Sequence, residues 1–423
     1  PCAVVGPFND IPRVDLSAMA AAFKFPVTMH RGFNPRLITD LTSPYTTQLY
    51  PDIVTNIVVV VTVLYLKGRT DYIAFVYPLT ETGTFWRETV SVVLGEEMIE
   101  NQAFSYNSFF SPATSNLHNM QNTMEAVKAS GYRTIVVAPD LPSVEIPAMA
   151  QVATELGLTN GDYLWIFTGD FDLTLLYSSD AAVQELLKGS LFLTPISGSD
   201  ISVEDPFYRA WKSQGPAQVE RLNAANPIKG SIVPTNSTGK GFVKGDSPGY
   251  MSAEDDFFQR TSPVFGSGYM YDAVIATGMG ACQAFAASNG SGVDVEPFVK
   301  GIRSVPFTGA TGYVQLGCDD CIFESGRSQW TTGWAVLNLL PPVSPPPKEP
   351  IQSIATELII GFDLVFLNKT YYADGRTVPP DLLRDPPEQN YLSTYVRVIG
   401  FTVMAVALLI SAATTLWVYF HRE

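Results

Sequence analysis

The stretch Thr134 to Phe167, TIVVAPDLPSVEIPAMAQVATELGLTNGDYLWIF, decides the fold class. It opens on a β-branched run, Thr134 to Ala138, that has the composition of a buried strand. Ile146 to Leu156 then spaces its apolar residues for a helix, and Tyr163 to Phe167 is a second strand-like run. Strands alternating with helices of ten or more residues imply a parallel sheet covered on both faces, because each parallel crossover needs a helix that also buries the sheet.

The same alternation extends outward in both directions. Upstream, a helix is expected over Leu117 to Ser130, another from Phe85 to about Ile99, a strand over Tyr72 to Val76 and a helix around Ile53 to Leu66. Further upstream, Ala3 to Val5 is a strand-like run, followed by a Gly-Pro turn and an Ala-rich helical stretch from Val14 to Phe25. Downstream, Gly189 to Pro195 is a strand, Ser231 to Gly249 a polar Gly-rich loop insertion, and Tyr269 to Ala287 a helix. Phe307 to Leu316 and Gly333 to Leu339 are short strands. The fold class is α/β.

Composition narrows the function. A chain of 423 residues with 46% apolar content can bury more than one core, and 26 Lys plus Arg against 41 Asp plus Glu leave a net charge of −15. A polyphosphate needs a basic footprint, so nucleic acid is excluded as a partner. Three His, and no GxSxG, Walker or HExxH pattern, leave no basis for catalysis; His30 and His118 have no acid-base neighbour in sequence, and Gly309 to Gly312 is too short for a dinucleotide loop. Cys318 and Cys321 have the spacing of half a zinc site, but no second pair completes it. A local disulfide or two surface thiols is the reading there, with Cys2 free to pair elsewhere. No metal or cofactor is expected.

Val398 to Phe420 runs 23 residues without a charge. As a helix it would span roughly 34 Å, slightly more than a hydrocarbon core. A transmembrane helix is therefore expected over residues 396–420, with Tyr395, Trp417 and Tyr419 as interfacial aromatics and 421–423 as a cytoplasmic stub. Asn236, Asn289 and Asn368 each open an N-glycosylation sequon ahead of that segment, which favours an extracellular N-terminal portion and a plasma-membrane location. The ten-residue apolar run Ile57 to Leu66 is a buried element instead of a span. Residues 341–395 form a Pro-rich juxtamembrane linker that opens on PPVSPPPKEP and includes an apolar run from Leu358 to Leu367. The chain opens on Pro1 without a signal peptide, which is read as truncation.

Six stretches in order carry a family resemblance: VVGPFND (Val4 to Asp10), FPVTMHRGFNPRL (Phe25 to Leu37), ASGYRTIVV (Ala129 to Val137), GDYLWIFTGD (Gly161 to Asp170), YDAVIATGMGACQAF (Tyr271 to Phe285) and FTGATGYVQL (Phe307 to Leu316). Together they resemble the type I periplasmic-binding-protein fold of the extracellular ligand-binding domains of class C G-protein-coupled receptors and natriuretic-peptide-type receptors. The resemblance covers Cys2 to about Leu340. It implies a ligand-binding domain over 1–340 in two lobes, lobe I about 1–69 and 207–303 and lobe II about 70–206 and 304–340. It also implies that the first strands of lobe I are missing. The Pro-rich linker, the segment Tyr372 to Gly375 and the span most resemble the metabotropic γ-aminobutyric-acid-receptor-like branch, in which the span is the first of seven.

In that family a small ligand sits between the lobes and favours their closure. The resemblance places Asn9, Asp10, Arg31 and Phe33 of lobe I at the ligand, where amino-acid-binding members carry small hydroxyls. Arg31 would offer paired donors to an anionic group and Asp10 would hold an amine, with a solvated place on the loop rim as the alternative for Arg31. Glu81, Thr82 and Asp170 are the candidates from lobe II, Thr82 standing where relatives often carry a stacking Tyr. Asp272 is assigned a structural role in the first turn of its helix. The implied partners are a small anionic or zwitterionic ligand, such as an amino-acid-like molecule, the lipid bilayer, a second receptor chain in a homo- or heterodimer, and a G protein if six further spans follow. The alternatives are a single-pass receptor with a cytoplasmic cyclase or kinase domain, and a membrane-tethered scaffold that lost its ligand.

Overall fold

A computed structural model describes residues 3–6, 10–30, 43–70, 72–97, 99–107, 114–169, 175–176, 178–196, 206–215, 217–218, 221, 258, 266–290, 292–317, 326–327, 331–340, 353–360, 363–380, 402–404, 411 and 414. In chain order the first elements are β1 (Val4–Val5), α1 (Asp10–Phe23), β2 (Val27–Met29), β3 (Thr46–Gln48), α2 (Ile53–Leu66), β4 (Ile73–Pro78), α3 (Glu81–Glu96) and β5 (Asn101–Tyr106). There follow α4 (Thr114–Ser130), β6 (Thr134–Val137), α5 (Pro142–Leu156), β7 (Leu164–Thr168), α6 (Ala181–Leu187), β8 (Leu191–Pro195) and α7 (Pro206–Lys212). The last are α8 (Ser267–Ala287), α9 (Val295–Ser304), β9 (Phe307–Gly309), β10 (Gly312–Val314), β11 (Gly333–Leu339), β12 (Ser353–Ile360) and β13 (Asp363–Phe366).

Two larger sheets divide these elements into two lobes, and the antiparallel pair β9–β10 packs with α8 and α9 on the smaller, so that residues 307–316, expected from the sequence in lobe II, belong to lobe I. In the smaller, β1, β2 and β3 run parallel in that order. Side chains alternate across it: Val4, Val27 and Met29 meet Leu16 and Ala20 of α1, while Val5 packs with α8 and α9 on the opposite face. Thr28 reaches that second face too, its hydroxyl 2.8 Å from the hydroxyl of Thr277 on α8.

The larger sheet has eight strands in the order β13-β12-β11-β8-β7-β6-β4-β5. The pairs from β5 across to β8 are parallel, and β11, β12 and β13 add antiparallel strands beyond β8. Period-two alternation distributes the side chains. Ile135, Val137, Trp165 and Phe167 face α4, α5 and α6, whereas Val136, Leu164 and Ile166 face α2 and α3. Both faces are thus dry, which is why these strands are apolar without interruption.

Helix α2 corrects one boundary. Sequence had placed residues 1–69 in lobe I, but the chain leaves the small sheet after β3 and Ile57, Val60 and Leu64 pack with Phe75 and Trp86 on the large one. An α2 that is apolar on nearly every side finds enough burial only beneath α3 and the longer sheet. Asp52 starts it by accepting a 2.7 Å bond from the Thr55 amide.

The second difference lies after Leu339. Residues 353–366, assigned from sequence to a linker, form β12 and β13, and residues 367–380 strap the edge of lobe II. Asn338 of β11 holds the strap at Tyr371, donating to its carbonyl and accepting from its amide, both at 2.8 Å. Tyr372 is buried in the lobe II core. Gly189, at φ +73°, lies where a Cβ would come within 2.1 Å of the Ala373 amide nitrogen, so only glycine admits the strap.

The expected membrane helix over 396–420 lies almost wholly outside the described residues; positions 402–404, 411 and 414 are helical. Among the described residues no helix is long and apolar enough to cross a membrane. The Pro-rich run 341–350 and the loop insertion 231–249 also lie outside them.

Candidate functional site

In an open parallel sheet the loops beyond the carboxyl ends of the strands are free to carry polar groups, and ligands bind there. In lobe II these loops follow β4, β5, β6 and β7. Thr80 begins α3, and its hydroxyl accepts from the Gly83 amide at 2.9 Å while donating to Oδ2 of Asp140 at 2.5 Å. Gly83 is required because a Cβ there would stand 2.0 Å from the carbonyl oxygen of Pro78. One hydroxyl thereby ties the loop after β4 to the loop after β6.

Glu145 supports the second loop from below. Its Oε2 accepts from the amides of Asp140 and Leu141, at 2.9 and 3.1 Å, at the start of α5, where backbone amides have no intrahelical acceptor. The same oxygen accepts a 2.9 Å bond from the Tyr106 phenol at the end of β5. Burial first, and then the negative charge of Glu145, hold that phenol well above its ordinary pKa, so Tyr106 stays a donor. The rim is therefore a braced acidic edge. Glu81 is exposed beside Thr80, Thr82 is half-buried, and Asp140 completes the set.

Of the residues predicted from sequence, Glu81 and Thr82 fall on this rim as the first two residues of α3. Asp10 opens α1, at the carboxyl end of β1. Asn9, Arg31, Phe33 and Asp170 lie outside the described residues, as does the sequon residue Asn236. Asn289 sits just past α8 at φ +50°, and Asn368 follows β13; both are exposed. Cys282 is an exposed free thiol, while Cys2, Cys318 and Cys321 lie outside the described residues. Sequence reasoning missed Thr80, Asp140, Glu145 and Tyr106. Asp140 ends the run TIVVAPD, and an acid just beyond a parallel strand is itself a signal of this kind of site.

Lobe I holds a second polar cluster with a structural role. Helix α8 starts at Ser267, so Asp272 is not in its first turn. Its carboxylate instead receives the amides of Ala310 (2.6 Å) and Thr311 (3.0 Å) and the Thr311 hydroxyl (2.6 Å), tying α8 to the β9–β10 turn. Arg327, also buried, donates to that hydroxyl and to the carbonyls of Thr311, Tyr313 and Thr331. Burial raises the Asp272 pKa despite these donors and lowers that of Arg327.

Two lobes with parallel sheets, joined by repeated crossovers and carrying polar loops at the strand ends, define the class of two-lobed, periplasmic-binding-protein-like ligand-binding domains. Within that class, the sequence model described as receptor family ligand binding region matches residues 2–320, and the chain belongs to that family. No curated protein matches the chain as a significant relative.

Proposed function

We propose that this chain is the extracellular ligand-binding region and first membrane span of a class C G-protein-coupled-receptor-like receptor of the metabotropic γ-aminobutyric-acid-receptor-like branch. It acts in binding and signalling and not in catalysis, and it sits in the plasma membrane with residues before Val398 outside. Family membership supports the receptor reading. The charge-free run Val398 to Phe420 and the three sequons ahead of it support the topology.

The observation that carries the ligand reading is the braced acidic rim of Thr80, Glu81 and Asp140 at the strand ends of lobe II. Two carboxylates there favour a cationic group such as an ammonium, and Arg31 of lobe I would take an anionic one. A small zwitterion satisfies both partners, and contact with both lobes stabilises closure. Closure then changes how two receptor chains meet.

Calorimetry with a panel of small amino-acid-like zwitterions tests this reading. A binder weakened about ten- to a hundredfold by both Glu81→Gln and Arg31→Ala is the expected result. Binding insensitive to both substitutions would overturn the assignment of the site. The absence of any binder would favour the scaffold reading.

A further inference from the structure

The outermost strand of the large sheet, β13, ends in the exposed apolar pair Val365 and Phe366, and exposed Leu367 follows it directly. Val365 and Leu367 are each 44% exposed and Phe366 is 67% exposed. Among the described residues β13 pairs only with β12, and no described strand lies on its far side beside this run. Such an edge is a template for pairing with another chain, and folded proteins normally blunt it with charge, proline or a cover. The one charge of β13, exposed Asp363, stands at its start, and Val365, Phe366 and Leu367 at its end supply neither charge nor proline.

Asn368 follows directly, exposed and opening the sequon Asn368-Lys369-Thr370. We propose that an N-linked glycan on Asn368 covers the apolar edge of β13. The inference rests on the reading that this region is extracellular. The Asn368 amide nitrogen donates one N–H to the Ala355 carbonyl at 2.9 Å, which leaves the other hydrogen to be replaced. In the transfer, that nitrogen forms a bond to the anomeric carbon of an oligosaccharide carried on a lipid pyrophosphate. The carbon–oxygen bond to phosphate breaks, the lipid pyrophosphate leaves with the electron pair, and the amide gives up one proton.

The geometry also sets when this happens. Thr370, whose hydroxyl the transfer recognises, is buried in the folded strap and accepts a 2.6 Å bond from Lys67 Nζ. The sugar is therefore attached before residues 367–372 dock on lobe II. Asn289 lies just past the end of α8 and not on a sheet strand, so among the described sequons the shielding role belongs to Asn368.

The test expresses the full chain behind a secretion signal in a eukaryotic host and reads site occupancy by peptide mass spectrometry. The folded protein is then trimmed to a single sugar with an endoglycosidase and its oligomeric state followed by light scattering. Expected are an occupied Asn368, a several-fold rise on trimming in species larger than the untrimmed protein, and return to the untrimmed size when Phe366→Lys is added. An empty Asn368 with Asn289 or Asn236 occupied overturns the inference and leaves the extracellular reading standing. Three empty sequons overturn both. An occupied Asn368 whose trimming leaves the size of the protein unchanged, apart from the lost sugar, overturns the shielding role.

Discussion

Lys67 at the end of α2 and Glu357 in β12, 290 positions apart, form an ion pair at 2.5 Å with side chains only 7% and 4% exposed. Lys67 also donates to Thr370, and Glu357 accepts from the Thr356 hydroxyl, so both charges are further hydrogen-bonded. The pair ties β12 to α2, the first helix of lobe II, and the bond from Lys67 to Thr370 adds the strap. Nearby, Arg69 donates to the carbonyl of Pro380 and extends the same seam.

Removing one partner should cost more than removing both. Lys67→Met leaves Glu357 buried and unpaired and is expected to destabilise the domain by about 3–5 kcal/mol. The double variant Lys67→Met with Glu357→Leu should recover most of that loss. Urea denaturation of the three proteins decides the matter, and equal losses in the single and double variants would argue against a buried pair.

Gly189→Ala should undock the strap. Its Cβ would overlap the backbone of Ala373, and its left-handed φ adds strain, for roughly 3 kcal/mol or more together. Limited proteolysis should then cut within 367–380 far faster than in the native protein. Unchanged protection of that segment would refute the close approach.

Those two contacts also show what was and was not legible in the sequence. The apolar run Leu358 to Leu367 was visible, but local composition tied it to its Pro-rich neighbour. Its real partner is β11, across residues 341–350. Helix α2 was recognisable as buried because it is apolar all round, yet which lobe buried it depended on β4 and α3. Strand β5, NQAFSY, escaped notice because an edge strand with exposed Gln102 and Ala103 carries no continuous apolar signal. In the site, Glu81 and Thr82 could be placed by position along the chain. Thr80 and Asp140 could not be paired, because 60 residues separate them and only the parallel order of β4 and β6 makes them neighbours.

The strap should loosen in alkali. Burial, reinforced by the negative charge of Glu357 and opposed by the Arg69 guanidinium, pushes the Tyr372 phenol up to about 12. A folded-state pKa above the ordinary value near 10 means the fold favours the neutral phenol. The stabilisation is complete below pH 10 and is lost as pH rises from about 10 through about 12, by at most about 3 kcal/mol. Denaturation midpoints at pH 8, 10 and 11 should fall more steeply for the native protein than for Tyr372→Phe. Parallel slopes would remove Tyr372 from the account.

Thr80→Ala and Glu81→Gln should separate bracing from binding. The first loses a helix cap and the bridge to Asp140, and is expected to cost about 1–2 kcal/mol of stability. The second removes an exposed charge and should leave the melting temperature within about 1 °C while weakening a cationic ligand. A large loss of stability in Glu81→Gln would mean that Glu81 braces the loop.

Strand β8 is flanked by β7, made just before it, and by β11, which the ribosome delivers roughly 140 residues later. At about 5–20 residues per second, the edge of β8 waits some 7–30 s for its neighbour. During that interval the rest of lobe I is being synthesised, and Leu191, Phe192 and Leu193 have only part of their eventual cover. The nascent chain therefore passes through a stage with an open, apolar sheet edge. Its yield in a cell depends on how well that edge is guarded until Gly333 to Leu339 arrives.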